Sequence, residues 1–519
     1  MSGENNKGNG MAPRDDQGQL KQEGLIFERG GAGRVGFSLP ELDVPEVDVA
    51  AAWGEDNVRG EIAGFPEVSE VDVIRHFTRI SQHNFGVESG LFPLGSCTMK
   101  YNPKVHERVV RHPGFAGAHP YMPASVMQGG LDLMRRLEAA LAAVTGMHRV
   151  TLQPAAGAQG ELTGVMMIAA YHASRGDGKR RKVLIPDSAH GTNPATASFC
   201  GLEPVEIPSN SEGTTDIEAL RAEADENTAA LMLTNPNTLG LFEDQMQQIA
   251  EIMHGCGAQI YCDGANLNAI LGKTRPGDIG IDVFHINLHK TFTTPHGGGG
   301  PGGGPVAVGE HLAPFLPRPT VEVDSDSGQA FLDWDRPDSI GKVQGFYGNF
   351  GILVRAYAYI RALGAVGLRQ VAEDAVLNAN YIQKRLEGHY HLPHPRLCMH
   401  EVIFSDRTQK KHGVTAMDIC KRLIDHGYHP PTVYFPLVVS GALMIEPTET
   451  VSREDLDAFI EAMIAIAAEA ETDPEHVRAA PHSTFLSRLD EARAARKPIL
   501  AWRPETAGEH EPVGAGATG

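Results

Sequence analysis

Between about Val150 and Gly309, short apolar runs alternate with amphipathic helical patterns, and few folds accommodate that alternation. It is the mark of βαβ units joined into a largely parallel sheet. Arg149 to Leu152 reads as the first strand, after which Leu162, Val165, Met166 and Ala169 recur at helical spacing. Further strands are predicted at 183–185, 229–233, 259–262 and 283–288, each closing on a polar or Gly-rich cluster. In open α/β sheets ligands gather beyond the carboxyl ends of the strands, so these clusters are expected to converge.

The rest of the chain is arranged around this core. Its 519 residues allow roughly three domains at about 150 residues each, fewer if one α/β unit is large. Residues 1–24 read as a disordered leader, with no apolar stretch of the kind a secretory signal needs. Residues 25–130 read as an N-terminal arm and entry segment with a helix near 71–82. Residues 131–347 form the large domain, entered by a helix near 131–143. Residues 348–502 read as a linking helix, 348–363, and a smaller α+β domain, and 503–519 as a disordered tail. In the smaller domain Ser452 and Asp455 make a capping-box pattern ahead of Leu456, Phe459, Ile460, Met463 and Ala467 at helical spacing.

Composition removes several functions. With 45 Lys+Arg against 65 Asp+Glu the net charge is -20, which gives no electrostatic footprint for a nucleic-acid backbone. No apolar run of about 18 residues reads as a membrane span. The six cysteines, Cys97, Cys200, Cys256, Cys262, Cys398 and Cys420, include no C-x-x-C pair and read as reduced thiols of a cytoplasmic protein. Cys97 stands apart because its small, turn-forming neighbours suggest a loop with an accessible thiol. The 23 histidines suggest no metal: His285 and His289 fall in a period-two pattern, and no H-E-x-x-H or Cys/His cluster appears. The glycine run 297–300 and 302–304 lacks a following G-K-[ST], which disfavours a P-loop.

Three features carry chemistry together. Lys290 stands at the end of a buried strand and at the start of a loop holding seven glycines. Asp263 closes the strand 259–262 and is followed by Gly264, Ala265 and Asn266. A carboxylate there needs a cationic partner, and a protonated pyridine nitrogen is one. The turn Ala156-Gly157-Ala158 precedes a helix, where unhindered N–H groups hold a phosphate. Each alone also reads as an ordinary loop or packing feature. In the order phosphate turn, aspartate, lysine they describe a pyridoxal 5'-phosphate site, with Lys290 joined to the cofactor aldehyde as an aldimine and Asp263 on the ring nitrogen. His190 follows the strand at 183–185 and is placed to stack on the ring. Asn235 ends the next strand and is placed to contact the ring or its hydroxyl, and Ala265 flanks Asp263 at the cofactor.

The stretches 287–292 with the glycine-rich loop, 94–103, 153–158 and 348–351 closely resemble the glycine dehydrogenase (decarboxylating) family, the P-protein of the glycine cleavage system. The resemblance runs from about Leu39 to beyond Glu446. It points to the half that carries pyridoxal phosphate, subunit 2 where the P-protein is split. It implies fold type I, the aspartate-aminotransferase-like fold, with a mainly parallel large domain and a smaller α+β C-terminal domain. It also implies Lys290, Asp263 and His190 as catalytic residues and the turn at 156–158 as a phosphate contact. The implied activity is that of an oxidoreductase of glycine catabolism: decarboxylation of glycine with transfer of the aminomethyl group to the lipoyl arm of H-protein. The implied partners are subunit 1, in an α2β2 heterotetramer, and H-protein, with no nucleic acid and no membrane. The glycine loop would open for the lipoyl arm, a role that Gly298 and Gly299 test. Arg318 and Arg355 are candidates to orient the glycine carboxylate. The competing readings are another fold type I enzyme, such as an aminotransferase or cysteine desulfurase, and a non-catalytic scaffold subunit.

Overall fold

The computed structural model describes residues 22–60, 62, 64–295 and 302–501. Its contacts fall into two units, Met1–Phe85 with Ala479–Gly519, and Gly86–Arg478. In the first, the helix Glu70–Ser81 is fixed at its start by a reciprocal cap: the Ser69 hydroxyl accepts the Asp72 N–H and the Asp72 carboxylate accepts the Ser69 N–H. Such pairing satisfies two otherwise orphaned donors of the first turn.

The second unit is built on seven strands: β1 Arg149–Thr151, β2 Lys182–Pro186, β3 Glu203–Ile207, β4 Thr228–Thr234, β5 Gln259–Gly264, β6 Val283–Ile286 and β7 Val306–Val308. Their order is β1-β7-β6-β5-β4-β2-β3. Pairs β2–β3, β2–β4, β4–β5 and β5–β6 are parallel, and β7 runs antiparallel to both neighbours. Every residue of β5 and β6 is buried, which is why these strands read as continuous apolar runs. The register pairs Thr234 with Asp263 and Asp263 with His285, so the carboxyl ends of β4, β5 and β6 lie level. Strands β3 and β7 had no counterpart in the sequence reading. The first is a largely exposed edge strand, and the second is only three residues long behind the glycine run.

Helix α1, Gln128–Thr145, buries Leu131, Leu137 and Leu141 in the core beside the sheet. Helix α2, Gly157–Ser174, follows β1 and buries Val165, Met167 and Ile168 in a second cluster. Helix α3, Thr192–Phe199, follows β2. The linking helix, α4, is longer than expected and runs Phe350–Leu386. By length and composition alone it is apolar and long enough to cross a membrane, although Arg355 and Arg361 interrupt its apolar run. Gly364, however, leaves the helical region inside it at φ 62° and ψ -174°. Its first stretch, 350–363, is therefore about 21 Å long, short of the about 30 Å hydrocarbon core. Ile352 and Leu353 join the core beside the sheet, while Ala379, Ile382 and Leu386 join the core of the smaller domain.

That smaller domain has a three-stranded sheet of β8 Val402–Ser405, β9 Thr432–Val433 and β10 Ala442–Ile445, with β10 central and antiparallel to both. Helices α5, Ala416–Asp425, and α6, Arg453–Thr472, cover it. Ser452 caps α6 as expected, its hydroxyl accepting the Asp455 N–H at 3.1 Å. The segment 94–100 runs from this sheet to the large domain. Leu94 bridges to Ile445, the Gly95 carbonyl accepts the Thr432 hydroxyl at 2.8 Å, and a side chain at Gly95 would overlap Met444.

Candidate active site

The loops after β2, β4, β5 and β6, the strap at Ser96, the segment of His400 and Glu401, and the start of α2 meet beyond the carboxyl edge of the sheet. The turn after β6 carries Lys290, with its N–H donating to the Asn287 carbonyl at 3.1 Å while the Leu288 N–H donates to Gly303. The half-buried Lys290 side chain reaches out of this turn, and its Nζ donates to the Ser96 carbonyl at 2.7 Å. Ser96 is held in the left-handed region at φ 63°, which turns its carbonyl to Lys290 while its N–H donates to Glu401 Oε2 at 2.9 Å.

Asp263, 7% exposed, ends β5. Its Oδ1 accepts the Ala265 N–H at 3.1 Å and lies 3.4 Å from His285 Nδ1. Tyr261 shares a 2.6 Å hydrogen bond with the same His285 nitrogen. Burial lowers the His285 pKa, against the opposing pull of Asp263, and keeps the ring neutral.

Helix α2 begins at Gly157 and directs its unpaired first N–H groups at the same space. A Cβ at Gly157 would come within 2.9 Å of the Asn287 amide. One at Gly304 would overlap the Ala156 carbonyl, so the described end of the glycine run serves close packing behind this turn. His296 and Gly297 to Gly300, with the expected loop opening at Gly298 and Gly299, lie outside the described residues.

His190 stands exposed at the mouth of the cavity, 5.6 Å from the Phe435 ring. Its pKa is lowered by the wall that desolvates one side of it, with Lys290 adding to the effect and Asp263 opposing it. Its Nδ1 lies 2.8 Å from Thr192 Oγ1, which lies 2.7 Å from Glu161 Oε1. Glu161 is 4% exposed, and burial, then Asp263, pushes its pKa up to about 7.

Gly157, Ala158, His190, Asp263, Ala265 and Lys290 thus line one cavity of about 270 Å³, near the lower end of small-molecule sites at about 300 Å³. Ala156 and Asn235 are not among its lining residues. Ala156 lies one residue behind, in extended conformation at the N-cap of α2. Asn235 is buried, and its Oδ1 accepts the Glu243 N–H at 3.0 Å, bracing the loop that brings Pro236 and Asn237 to the cavity. Neither candidate arginine lines the cavity: Arg355 forks onto Glu107 at 2.7 and 2.9 Å, and Arg318 is exposed.

Ser96, Glu161, His285 and Glu401 also line the cavity, and none of them is among the site residues predicted from sequence. Ser96 lay within a noted stretch, but its contribution is a backbone carbonyl, which no residue type announces. Glu401 lies close to Glu446 and His400, with one ligand-type atom of each within 4.8 Å of the others. Burial and then Glu446 raise the Glu401 pKa to about 8; burial is also the main cause that raises Glu446 to about 7. Burial drives His400 down to about 3. Cys97 in the same strap has its thiol pushed up by burial.

Four buried lining atoms, Thr234 Oγ1, His285 Nε2, Asn287 Oδ1 and His400 Nδ1, have no hydrogen-bond partner among the described residues. Buried polar atoms are rarely left unpaired, so the cavity is shaped for a polar ligand. A primary amine, a buried carboxylate opposite it and a helix N-terminus fit an aldehyde, a ring nitrogen and a phosphate on one molecule. A larger cavity of about 500 Å³ near Phe115, Met134 and Phe350 has no charged lining residue and offers no such set.

This fold and this cavity are those of the pyridoxal-phosphate-dependent enzymes of fold type I. Residues 51–331 match the family described as glycine cleavage system P-protein, and residues 371–485 match the glycine dehydrogenase C-terminal domain. The chain belongs to the glycine cleavage system P-protein family. It is 58% identical over 481 residues, 93% of this chain and 98% of the relative, to a probable glycine dehydrogenase (decarboxylating) subunit 2 of Listeria monocytogenes. It is 58% identical over 482 residues to the protein of that description from Bacillus licheniformis, covering 93% of this chain and 99% of that one. Among solved structures it is similar to a glycine decarboxylase (P-protein) crystallised in inhibitor-bound form, with TM-score 0.68, 22% identity and coverage of 80% and 94%. A cysteine desulfurase from Thermococcus onnurineus shares the fold at TM-score 0.56 and 16% identity, covering 74% and 97%.

Proposed function

We propose that this chain is the pyridoxal-phosphate-bearing subunit 2 of the glycine cleavage P-protein, which decarboxylates glycine, passes the aminomethyl group to the lipoyl arm of H-protein and releases CO2. The observation that carries this reading is the meeting of the Lys290 amine, the Asp263 carboxylate and the α2 N-terminus around one polar cavity. The name of relatives at 58% identity, glycine dehydrogenase (decarboxylating) subunit 2, supports glycine decarboxylation.

Lys290 would hold the cofactor's aldehyde carbon, Asp263 its ring nitrogen, His190 its ring face, and the N–H groups at Gly157 and Ala158 its phosphate. Ala265 flanks the ring. Ala156 and Asn235 act indirectly, the first by shaping the phosphate turn and the second by bracing the loop of Pro236 and Asn237. When bound, the cofactor supplies an electron sink for the pair that CO2 leaves behind. The protein's part is to orient and to manage protons. Asp263, at the carboxyl end of β5, would keep a proton on the ring nitrogen. The Ser96 carbonyl orients Lys290 Nζ through a 2.7 Å hydrogen bond. Glu161 and Glu401, both buried, line the cavity with groups that hold protons near neutral pH.

The reading extends to a cytoplasmic α2β2 assembly with P-protein subunit 1 and to delivery of the product to H-protein. The test combines this chain with subunit 1, lipoyl H-protein, glycine and labelled bicarbonate. Label should appear in glycine, and Lys290→Ala should abolish both the exchange and the visible cofactor band. A coloured protein without exchange would indicate an aminotransferase or desulfurase instead, and a colourless one a scaffold subunit.

A further inference from the structure

Glu161, Thr192 and His190 form a continuous chain of polar atoms from the buried flank of α2 to the cavity mouth. Its links are 2.7 Å between Glu161 Oε1 and Thr192 Oγ1 and 2.8 Å between Thr192 Oγ1 and His190 Nδ1. The Thr192 backbone N–H also donates to His190 Nδ1 at 3.2 Å. A backbone N–H only donates, so His190 Nδ1 presents a lone pair. The Thr192 hydroxyl has a single proton. If that proton went to Glu161, two lone pairs would face each other across 2.8 Å between Oγ1 and Nδ1. The arrangement closes without conflict when the Glu161 carboxyl carries a proton and donates to Thr192, Thr192 donates to His190 Nδ1, and the ring holds its own proton on Nε2.

We propose that Glu161 is a positioning residue that sets, through the Thr192 hydroxyl, which ring nitrogen of His190 carries the proton. When Glu161 loses its proton to solvent, the Thr192 hydroxyl turns to donate to the carboxylate. Its oxygen then accepts from His190 Nδ1–H at the expense of the hydrogen bond from the Thr192 backbone N–H, with solvent supplying the Nδ1 proton and taking the one formerly on Nε2. The chain as a whole releases one proton. The ring changes from an Nε2 donor to an Nε2 acceptor without changing charge.

The surroundings favour a switch near neutral pH. Glu161 is 4% exposed, faces the Asp263 carboxylate from β5 and the Lys290 amine from the turn after β6, and is flanked by the Thr196 hydroxyl at 3.4 Å. His190 faces the same Asp263 and Lys290. His285 and Tyr261 beneath them also feel these charges, His285 that of His190 and Tyr261 that of Glu161. The role assigned to this ring nitrogen in catalysis rests on the proposed placement of His190 at the cofactor; the switch itself does not.

The test is nitrogen NMR of the full chain labelled with ¹⁵N-histidine, without cofactor, from pH 6.5 to 9, with the His190 signal assigned by its loss in His190→Asn. The wild-type tautomer should pass from Nε2–H to Nδ1–H with a midpoint near 7. Glu161→Gln, whose amide donates to Thr192 at every pH, should hold Nε2–H throughout. Thr192→Ser should keep the switch, and Thr192→Val should remove it while leaving the fold intact by circular dichroism. An unchanged transition in Glu161→Gln or in Thr192→Val, or Nδ1–H at pH 6.5 in the wild type, overturns the proposal. Pyridoxal phosphate added to the same samples afterwards, with the band it forms on Lys290 read by absorbance, reports on the proposed function separately.

Discussion

Raising the pH should withdraw stability from this chain through Glu401 and Glu446, and removing either carboxyl should return it. Glu401 is 3% and Glu446 0% exposed, and the two carboxyls sit within one small cluster. Two buried like charges that close cannot both ionise at low cost. Burial and then Glu446 raise Glu401 from 4.5 to about 8, and burial, with Glu449 adding to it, raises Glu446 to about 7. Because the folded state binds these protons more tightly than the unfolded chain, the stabilisation is complete below the unfolded value of 4.5 and is lost as pH rises through about 7 to 8. At about 1.4 kcal/mol per pH unit, the shift of Glu401 alone sets an upper bound of about 5 kcal/mol. The opposing pull of Lys290 is already contained in that shift, and the part of it lying between pH 5 and about 8 is a loss of about 4 kcal/mol. For a unit of about 390 residues, that is a fall in Tm of roughly 3–6 °C between pH 5 and 8.5.

The assay is a series of thermal melts of the cofactor-free full chain across that range, for the wild type, Glu401→Gln and Glu446→Gln. Glutamine keeps the acceptor oxygen used by the Ser96 N–H at 401 and by Thr98 and Asn266 at 446, so the hydrogen bonds survive. Each variant should melt within about 1 °C of the wild type at pH 5 and about 3 °C above it at pH 8.5. Parallel Tm curves for all three proteins would refute the coupling of these two carboxyls.

Lys100→Met should cost about 3–5 kcal/mol in urea unfolding, because it strands the buried Glu449 carboxylate that Lys100 holds at 2.6 Å; adding Glu449→Gln should recover most of that loss. Gly304→Ala should weaken pyridoxal phosphate binding by about tenfold in a cofactor titration, since its Cβ overlaps the Ala156 carbonyl and overpacking of that kind costs about 1–3 kcal/mol. Gly255→Ala, with open space around its Cβ, should leave the affinity unchanged.

What the sequence disclosed and what it withheld divide along a physical line. Lys290 and Asp263 are legible because their residue type conflicts with their place: a charged group closing a buried apolar strand is costly unless something pairs with it. The strands β2, β4, β5 and β6 are legible for the complementary reason, that burial on both faces leaves unbroken apolar runs. Glu161 has no such conflict in the sequence. It lies in the first turns of a helix, where a glutamate is ordinary, and becomes unusual only because α2 turns that face inward above Asp263. Glu401 precedes β8 at a position where a loop acid is unremarkable, whereas Glu446 closes the apolar run of β10 as Asp263 closes that of β5 and carries the same signal; both lie more than a hundred residues from Lys290. Only the antiparallel pairing of β8 with β10, in which Val402 faces Ile445, brings these two acids side by side. The Ser96 strap, 194 residues from Lys290, then carries their influence to the lysine by a peptide group whose chemistry every residue shares. Residues that are strange for their neighbourhood in the chain could be found by reading it, whereas residues made strange by their neighbourhood in space required the fold. The proton-holding groups of this site belong almost entirely to the second kind.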